Sequence, residues 1–112
     1  MTYEQFDIVL VLLDPTKGHE IKKTRPCVVI SPDEMNEFLG TVIIVPMTTS
    51  GKLYPTRLPI VFGEKDGFLV LDQMRTIDKQ RIHKKLGRLD LKNAQLLCER
   101  LQDMFSYSES EQ

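Results

Sequence analysis

"FDIVLVLLDPTKGHEIKKTRPCVVISP" (residues 6–32) decides how this chain folds. It opens on a near-continuous apolar run rich in β-branched residues, which stops at the turn opener Asp14-Pro15. A second short run follows at residues 27–31 and is closed by Pro32. Further strand-like runs are "TVIIVPM" (41–47), which Pro46 ends or bulges, and "TRLPIVF" (56–62), an edge strand because Pro59 cannot donate to a ladder. "GFLVLDQM" (67–74) is a fifth, and "RIHKKLGRL" (81–89) reads either as a last strand or as one turn of helix. The connections are too short for the crossover helices of a parallel sheet, so the strands are expected to run antiparallel. Many short strands and one late helix predict a mainly β (α+β) fold, a small barrel of bent antiparallel sheet.

The helices are marked by spacing. Ser31 or Asp33 is a candidate cap for one turn carrying Met35 and Phe38. Asp90 is a good N-cap for a longer helix, in which Leu91, Ala94, Leu97, Cys98, Leu101, Met104 and Phe105 recur at three- and four-residue steps. That helix has about four turns, and its stripe suits either the sheet or a partner subunit. The tail "SYSESEQ" (106–112) is polar and expected to fray.

The 112 residues suit one domain, 41% apolar and 28% charged, as in ordinary globular proteins. A chain of this length buries roughly 65% of its extended surface. No apolar run is long enough to span a membrane, and the start "MTYEQFD" is unlike a signal peptide, so a cytoplasmic protein is expected. Cys27 and Cys98 read as buried free thiols, and His19 and His83 stand far apart, so no metal site is expected. The net charge of −1 excludes a wholesale nucleic-acid coat, yet the charges segregate. Residues 14–26 carry Lys17, Lys22, Lys23 and Arg25 against Asp14 and Glu20, and residues 75–88 carry Arg75, Lys79, Arg81, Lys84, Lys85 and Arg88 against Asp78. Such segregation could build a basic face on a neutral molecule, although from charge alone simple solvation is the favoured account.

Four places put polar groups beside strand ends. Pro26 holds Arg25 extended where loop meets sheet; a plain surface arginine is the simpler account. "PMTTS" offers the hydroxyls of Thr48, Thr49 and Ser50 in one turn, a phosphate cradle or ordinary turn chemistry. Asp72 and Gln73 interrupt an apolar run, at a site or as local structure. His19 beside Glu20 is an acid–base pair or a bystander.

Together, "DPTKGHEIKKTRPCVVISP", "IIVPMTTS" and "DGFLVLDQMRTIDKQRI", in this order, resemble the MazF/PemK (Kid) family of toxin–antitoxin endoribonucleases over roughly residues 6–90. The resemblance implies a homodimer on the SH3-like, CcdB/PemK-type barrel with a C-terminal helix. It implies metal-independent cleavage of single-stranded RNA, often mRNA, needing no cofactor and leaving 2′,3′-cyclic phosphate and 5′-hydroxyl ends. It also implies neutralisation by a cognate MazE/PemI-like antitoxin.

By match to the family, Arg25 and Thr48 are expected to be catalytic, with Arg25 on the scissile phosphate. Asp72 matches Kid's catalytic aspartate and is the first choice for general base, with Glu20 and His19 as rivals. Gln73 matches a glutamine that contacts RNA bases in relatives. Lys17, Lys22, Lys23, Thr49, Ser50, Lys79, Arg81, Lys84 and Lys85 are expected to contact RNA. Two positions depart from the family: Val70 stands where Kid has an arginine, and Phe6 stands where a glycine is usual. The alternatives are a gyrase-binding toxin like CcdB, whose activity depends on a C-terminal tryptophan that this chain lacks, and an inactive nucleic-acid-binding domain or adaptor of the same fold.

Overall fold

The computed structural model describes residues 2–107; the end of the tail expected to fray, residues 108–112, lies outside the described residues. Among the described residues the chain forms β1 (Asp7–Leu12), β2 (Thr24–Val29), α1 (Asp33–Phe38), β3 (Thr41–Thr48), β4 (Arg57–Phe62), β5 (Lys65–Val70), β6 (Arg75–Asp78), β7 (Ile82–Arg88) and α2 (Leu91–Phe105). All strand pairs are antiparallel, in the order β4-β5-β3-β2-β1-β7, with β6 also on β3. The mainly β, bent antiparallel fold with a C-terminal helix is as expected. Its sheet is open, since β4 and β7 lie at opposite ends of the strand order.

Both faces of the central strands are buried, which is why their sequences read as continuous rather than alternating apolar runs. Ile8, Val28, Val45 and Met47 belong to one core with Leu69 of β5 and Ala94 and Leu97 of α2. The alternate residues Val9, Val11, Cys27, Val29, Val42 and Ile44 form a second core with Ile77 of β6. α2 therefore packs on the sheet. Only the middle of its stripe is fully used, for Leu91 and Phe105 remain 75% and 69% exposed. The Asp90 carboxylate accepts from the Asn93 side chain and backbone, as an N-cap does. These bonds, the side-chain one foremost, hold its pKa below the usual value.

Four local expectations are corrected. α1 has no side-chain cap: its N-cap is Pro32, while Ser31 Oγ donates to Asn36 and accepts from the Ile43 amide. Pro46 does not end β3; it falls between the stretch paired with β6 (Thr41 to Ile44) and the stretch paired with β5 (Met47, Thr48), so neither ladder loses a bond. The fifth strand stops at Val70, and Leu71–Gln73 makes a 3-10 turn that lifts Asp72 and Gln73 out of the sheet. β6 is an additional strand; of the two readings left open for residues 81–89, the strand is the one that forms, over Ile82–Arg88.

Phe6 sits at φ 72, in the left-handed region where glycine is at ease, and it bridges β2 and the residue after β7 through Phe6 N to Val29 O and Leu89 N to Phe6 O. The Phe6 side chain packs against the α2-containing core.

Leu97 is fully buried at the contact between helix and sheet. Leu97→Ala is expected to cost about 2–5 kcal/mol in urea unfolding. Leu91→Ala, at the exposed end of the same stripe, should stay within about 0.5 kcal/mol of the wild type.

Candidate functional site

β2 begins where β3 ends. Their register pairs Cys27 with Pro46, Val28 with Val45 and Val29 with Ile44; continued two residues, it sets Arg25 opposite Thr48. Both line a cleft of about 200 Å³, together with Thr49, Lys65 and Gly67. The Arg25 Nε donates to the Lys22 carbonyl at 3.1 Å, which steadies the guanidinium at the rim of the sheet. Thr48 Oγ1 accepts from the Ser50 amide at 3.2 Å and shares a 3.1 Å hydrogen bond with Ser50 Oγ, so the Thr48–Ser50 hydroxyls organise one tight turn. Gly67 makes this geometry possible. A Cβ there would lie 2.5 Å from the Thr48 carbonyl oxygen, so only glycine lets β5 approach the end of β3.

A second depression shares no lining residue with the first. Glu20, Asp72, Gln73 and Arg75 line it with Pro46, which lies two residues before Thr48 on β3. The loop between β1 and β2 hangs over this region and is tied down from the 71–81 segment. Gln73 holds it twice, accepting from the Ile21 amide at 2.6 Å and donating to the His19 carbonyl at 3.1 Å. Arg75 donates to the Leu13 carbonyl, and Arg81 to those of Leu12 and Asp14. The Leu13 amide closes the loop's base on the Lys23 carbonyl at 2.9 Å.

The carboxylates differ. Glu20 Oε1 accepts from the Lys17 amide at 2.6 Å and caps its own turn. Asp72 Oδ1 accepts from Thr56 Oγ1 at 2.9 Å and lies 3.6 Å from Arg57 Nε, while no hydrogen bond to Oδ2 occurs among the described residues. His19 is exposed and lines neither depression; its carbonyl, rather than its ring, is the group engaged.

The expected RNA contacts separate in the same way. Lys17, Lys22, Lys23, Thr49, Ser50 and Lys84 are exposed. Three other cations make contacts within the protein, although Lys85 is itself exposed. Lys79 Nζ donates to the Asn36 carbonyl. Arg81 holds the loop carbonyls, and Lys85 lies 3.4 Å from the buried Asp7 carboxylate and over the Tyr3 ring. Gln73 likewise has both ends of its amide on the loop. Cys27 is buried, and desolvation pushes its thiol up to about 12 against the opposing charge of Arg75, so it is no nucleophile at neutral pH.

The sequence does not single out Lys65 or Arg57, yet Lys65 lines the first cleft and Arg57 lies beside Asp72. Each is a lone cation on a strand whose place depends on pairing. Val70, fully buried, is the cross-strand partner of Arg57. Among the described residues no three His, Cys, Asp or Glu side chains cluster as metal ligands would, and no helix is long and apolar enough to cross a membrane.

The family model of the PemK-like, MazF-like toxin of type II toxin–antitoxin systems matches residues 4–105. The endoribonuclease toxin MazF of Escherichia coli K12 is 41% identical over 71 residues, which span 63% of this chain and 64% of that relative's length. The endoribonuclease PemK of Escherichia coli is 37% identical over 92 residues, 77% of this chain and 69% of the relative. The crystal structure of MazF from Deinococcus radiodurans shares the fold with a TM-score of 0.81 at 22% identity, covering 93% of this chain and 96% of that one.

The double hold of Gln73 on the loop sets a clear expectation. Gln73→Ala should speed amide hydrogen exchange across residues 14–23, most at Ile21, while exchange in β2 and β3 stays as in the wild type.

Proposed function

The chain belongs to the PemK-like, MazF-like toxin family of type II toxin–antitoxin systems, and from that premise we propose that it is a sequence-specific endoribonuclease acting on single-stranded RNA. The observation that carries the reading is that Arg25 and Thr48, set opposite one another where the β2–β3 register is continued, line a single cleft. A guanidinium and a hydroxyl on facing strands, with Lys65 alongside, suit a phosphodiester. The relatives named as endoribonucleases MazF and PemK supply the reaction class.

In the proposed reaction the nucleophile is the substrate's own 2′-hydroxyl, which attacks the adjacent phosphorus as the bond to the 5′-oxygen breaks. The proton leaves the 2′-oxygen and a proton reaches the 5′-oxygen, giving a 2′,3′-cyclic phosphate and a 5′-hydroxyl. The protein then needs a base, a proton donor and charge stabilisation, with no metal or cofactor. We assign Asp72 as base. Thr56 and Arg57 both fix its Oδ1 and leave Oδ2 without a hydrogen bond among the described residues, while Glu20, held only through Oε1 by the Lys17 amide, is the rival, and His19 lines neither depression. Arg25 sits on the scissile phosphate and donates the proton to the leaving oxygen. Thr48 bonds a phosphate oxygen as charge develops. The exposed Lys17, Lys22, Lys23 and Lys84 attract the backbone electrostatically. Gln73 reads a base once the loop gives up its hold. We further propose that one toxin domain dimerises with a second copy, acts in the cytoplasm, and is neutralised by an antitoxin laid across the groove.

The test is purified protein with EDTA on a mixed-sequence single-stranded RNA, with both product ends identified. Cleavage giving cyclic-phosphate and 5′-hydroxyl ends is expected; intact RNA at high protein concentration sinks the reading. Arg25→Ala and Thr48→Ala should each abolish cleavage with unchanged thermal unfolding, and full activity in either removes that residue from the site. Asp72→Asn should lose most of the rate, while a wild-type rate moves the base to Glu20 or His19.

A further inference from the structure

Asp72 is held by an arrangement that its own 3-10 turn does not supply. The residues that engage it, Thr56 and Arg57, come from the start of β4, about fifteen residues earlier in the chain. Thr56 binds the 71–72 segment reciprocally: its carbonyl accepts from the Leu71 amide at 2.9 Å, and its hydroxyl donates to Asp72 Oδ1 at 2.9 Å. Arg57 approaches the same oxygen, with Nε 3.6 Å from Oδ1. That is a charge contact outside hydrogen-bond range, and Nε is buried with no hydrogen-bond acceptor. Burying an N–H without an acceptor is costly, and a shift of about 0.5 Å would close the pair.

The guanidinium has little freedom to turn away. It stacks over the Tyr54 ring, 5.2 Å from the centroid, and its Nη1 is 2.8 Å from where a Cβ on Gly51 would stand. Arg100 of α2 fixes the same segment by donating to the Pro55 carbonyl at 3.0 Å. With Thr56 and Arg57 both on Oδ1, the carboxylate is turned so that Oδ2 is the oxygen left without a partner. The Arg57 side chain is 20% exposed and that of Asp72 38%, so the anion is reachable from solvent while the cation that orients it lies mostly covered. An ion pair serving stability alone has no need of this asymmetry, and at this exposure it would contribute little.

We infer that Arg57 is a positioning residue for Asp72, fixing Oδ2 for proton abstraction from the 2′-hydroxyl; the inference rests on the endoribonuclease reading. Arg57 itself does not touch the RNA. Its effect therefore falls on turnover rather than on binding, and it vanishes when Asp72 can no longer act as a base.

A double-mutant cycle tests this with steady-state kinetics on a single-stranded oligoribonucleotide that the wild type cuts. Arg57→Ala is expected to lower kcat on the order of 10- to 100-fold with KM within about twofold. Added to Asp72→Asn it should cause no further loss. Arg57→Lys, which keeps the charge beside Asp72, should recover part of kcat and gives the same reading if Arg57→Ala fails to fold. Multiplicative losses in the double variant, a loss in KM alone, or a wild-type kcat in both Arg57 variants overturns the inference and leaves the nuclease reading standing. An Asp72→Asn variant at full rate overturns the inference and moves the base to Glu20 or His19, and a wild-type protein that cuts no RNA overturns the reading beneath it as well.

Discussion

Eight residues of β3 hold three strands in place. β2 runs along one side from Ile44 to Pro46, while β6 and then β5 share the other, changing over at Val45 and Pro46. Both faces of the strand are buried, with Val42 and Ile44 in one core and Val45 and Met47 in the other. A slip of one residue would exchange those faces, so burial fixes the register. Once it is fixed, Thr48 must emerge beside Arg25, and β5 must pass close enough that Gly67 has no room for a side chain. The cleft is a consequence of how β3 is packed.

Around that end of the sheet, much of the positive charge is spent on the protein itself. Arg75 and Arg81 bind three consecutive carbonyls at the start of the β1–β2 loop, and Gln73 binds two groups further along it. These bonds hold the backbone of a loop whose lysines stay exposed. The loop thus presents mobile charge on a fixed path, an arrangement that attracts a polyanion while keeping the cleft's edge defined.

Legibility from sequence followed burial. The runs behind β1, β2 and β3, and the periodic α2 with its Asp90 cap, were readable because each buries many residues in a regular pattern. β6 was not, because in "RTID" only Ile77 is buried and the rest is charged or polar. The strand expected over residues 67–74 ran too long because Leu71 is as buried as Val70, and composition does not distinguish a 3-10 turn from a strand when both face the core. In the site, Arg25, Thr48 and Asp72 could be picked out by motif. The work of Lys79, Arg81 and Lys85 could not, since their acceptors lie far away in sequence. Arg57 was hidden for the same reason: its relation to Asp72 exists only through the pairing of β4 with β5.

The central claim is that the chain positions an RNA's own 2′-hydroxyl for attack and supplies no nucleophile itself. The most direct measurement replaces the single ribose 5′ to a cleaved bond with 2′-deoxyribose in an otherwise unchanged oligoribonucleotide, and follows both cleavage and binding. Cleavage at that bond should disappear while affinity stays within a few-fold of the all-ribose strand. Continued cleavage at the deoxy position would contradict the account, because another nucleophile would have to be doing the chemistry.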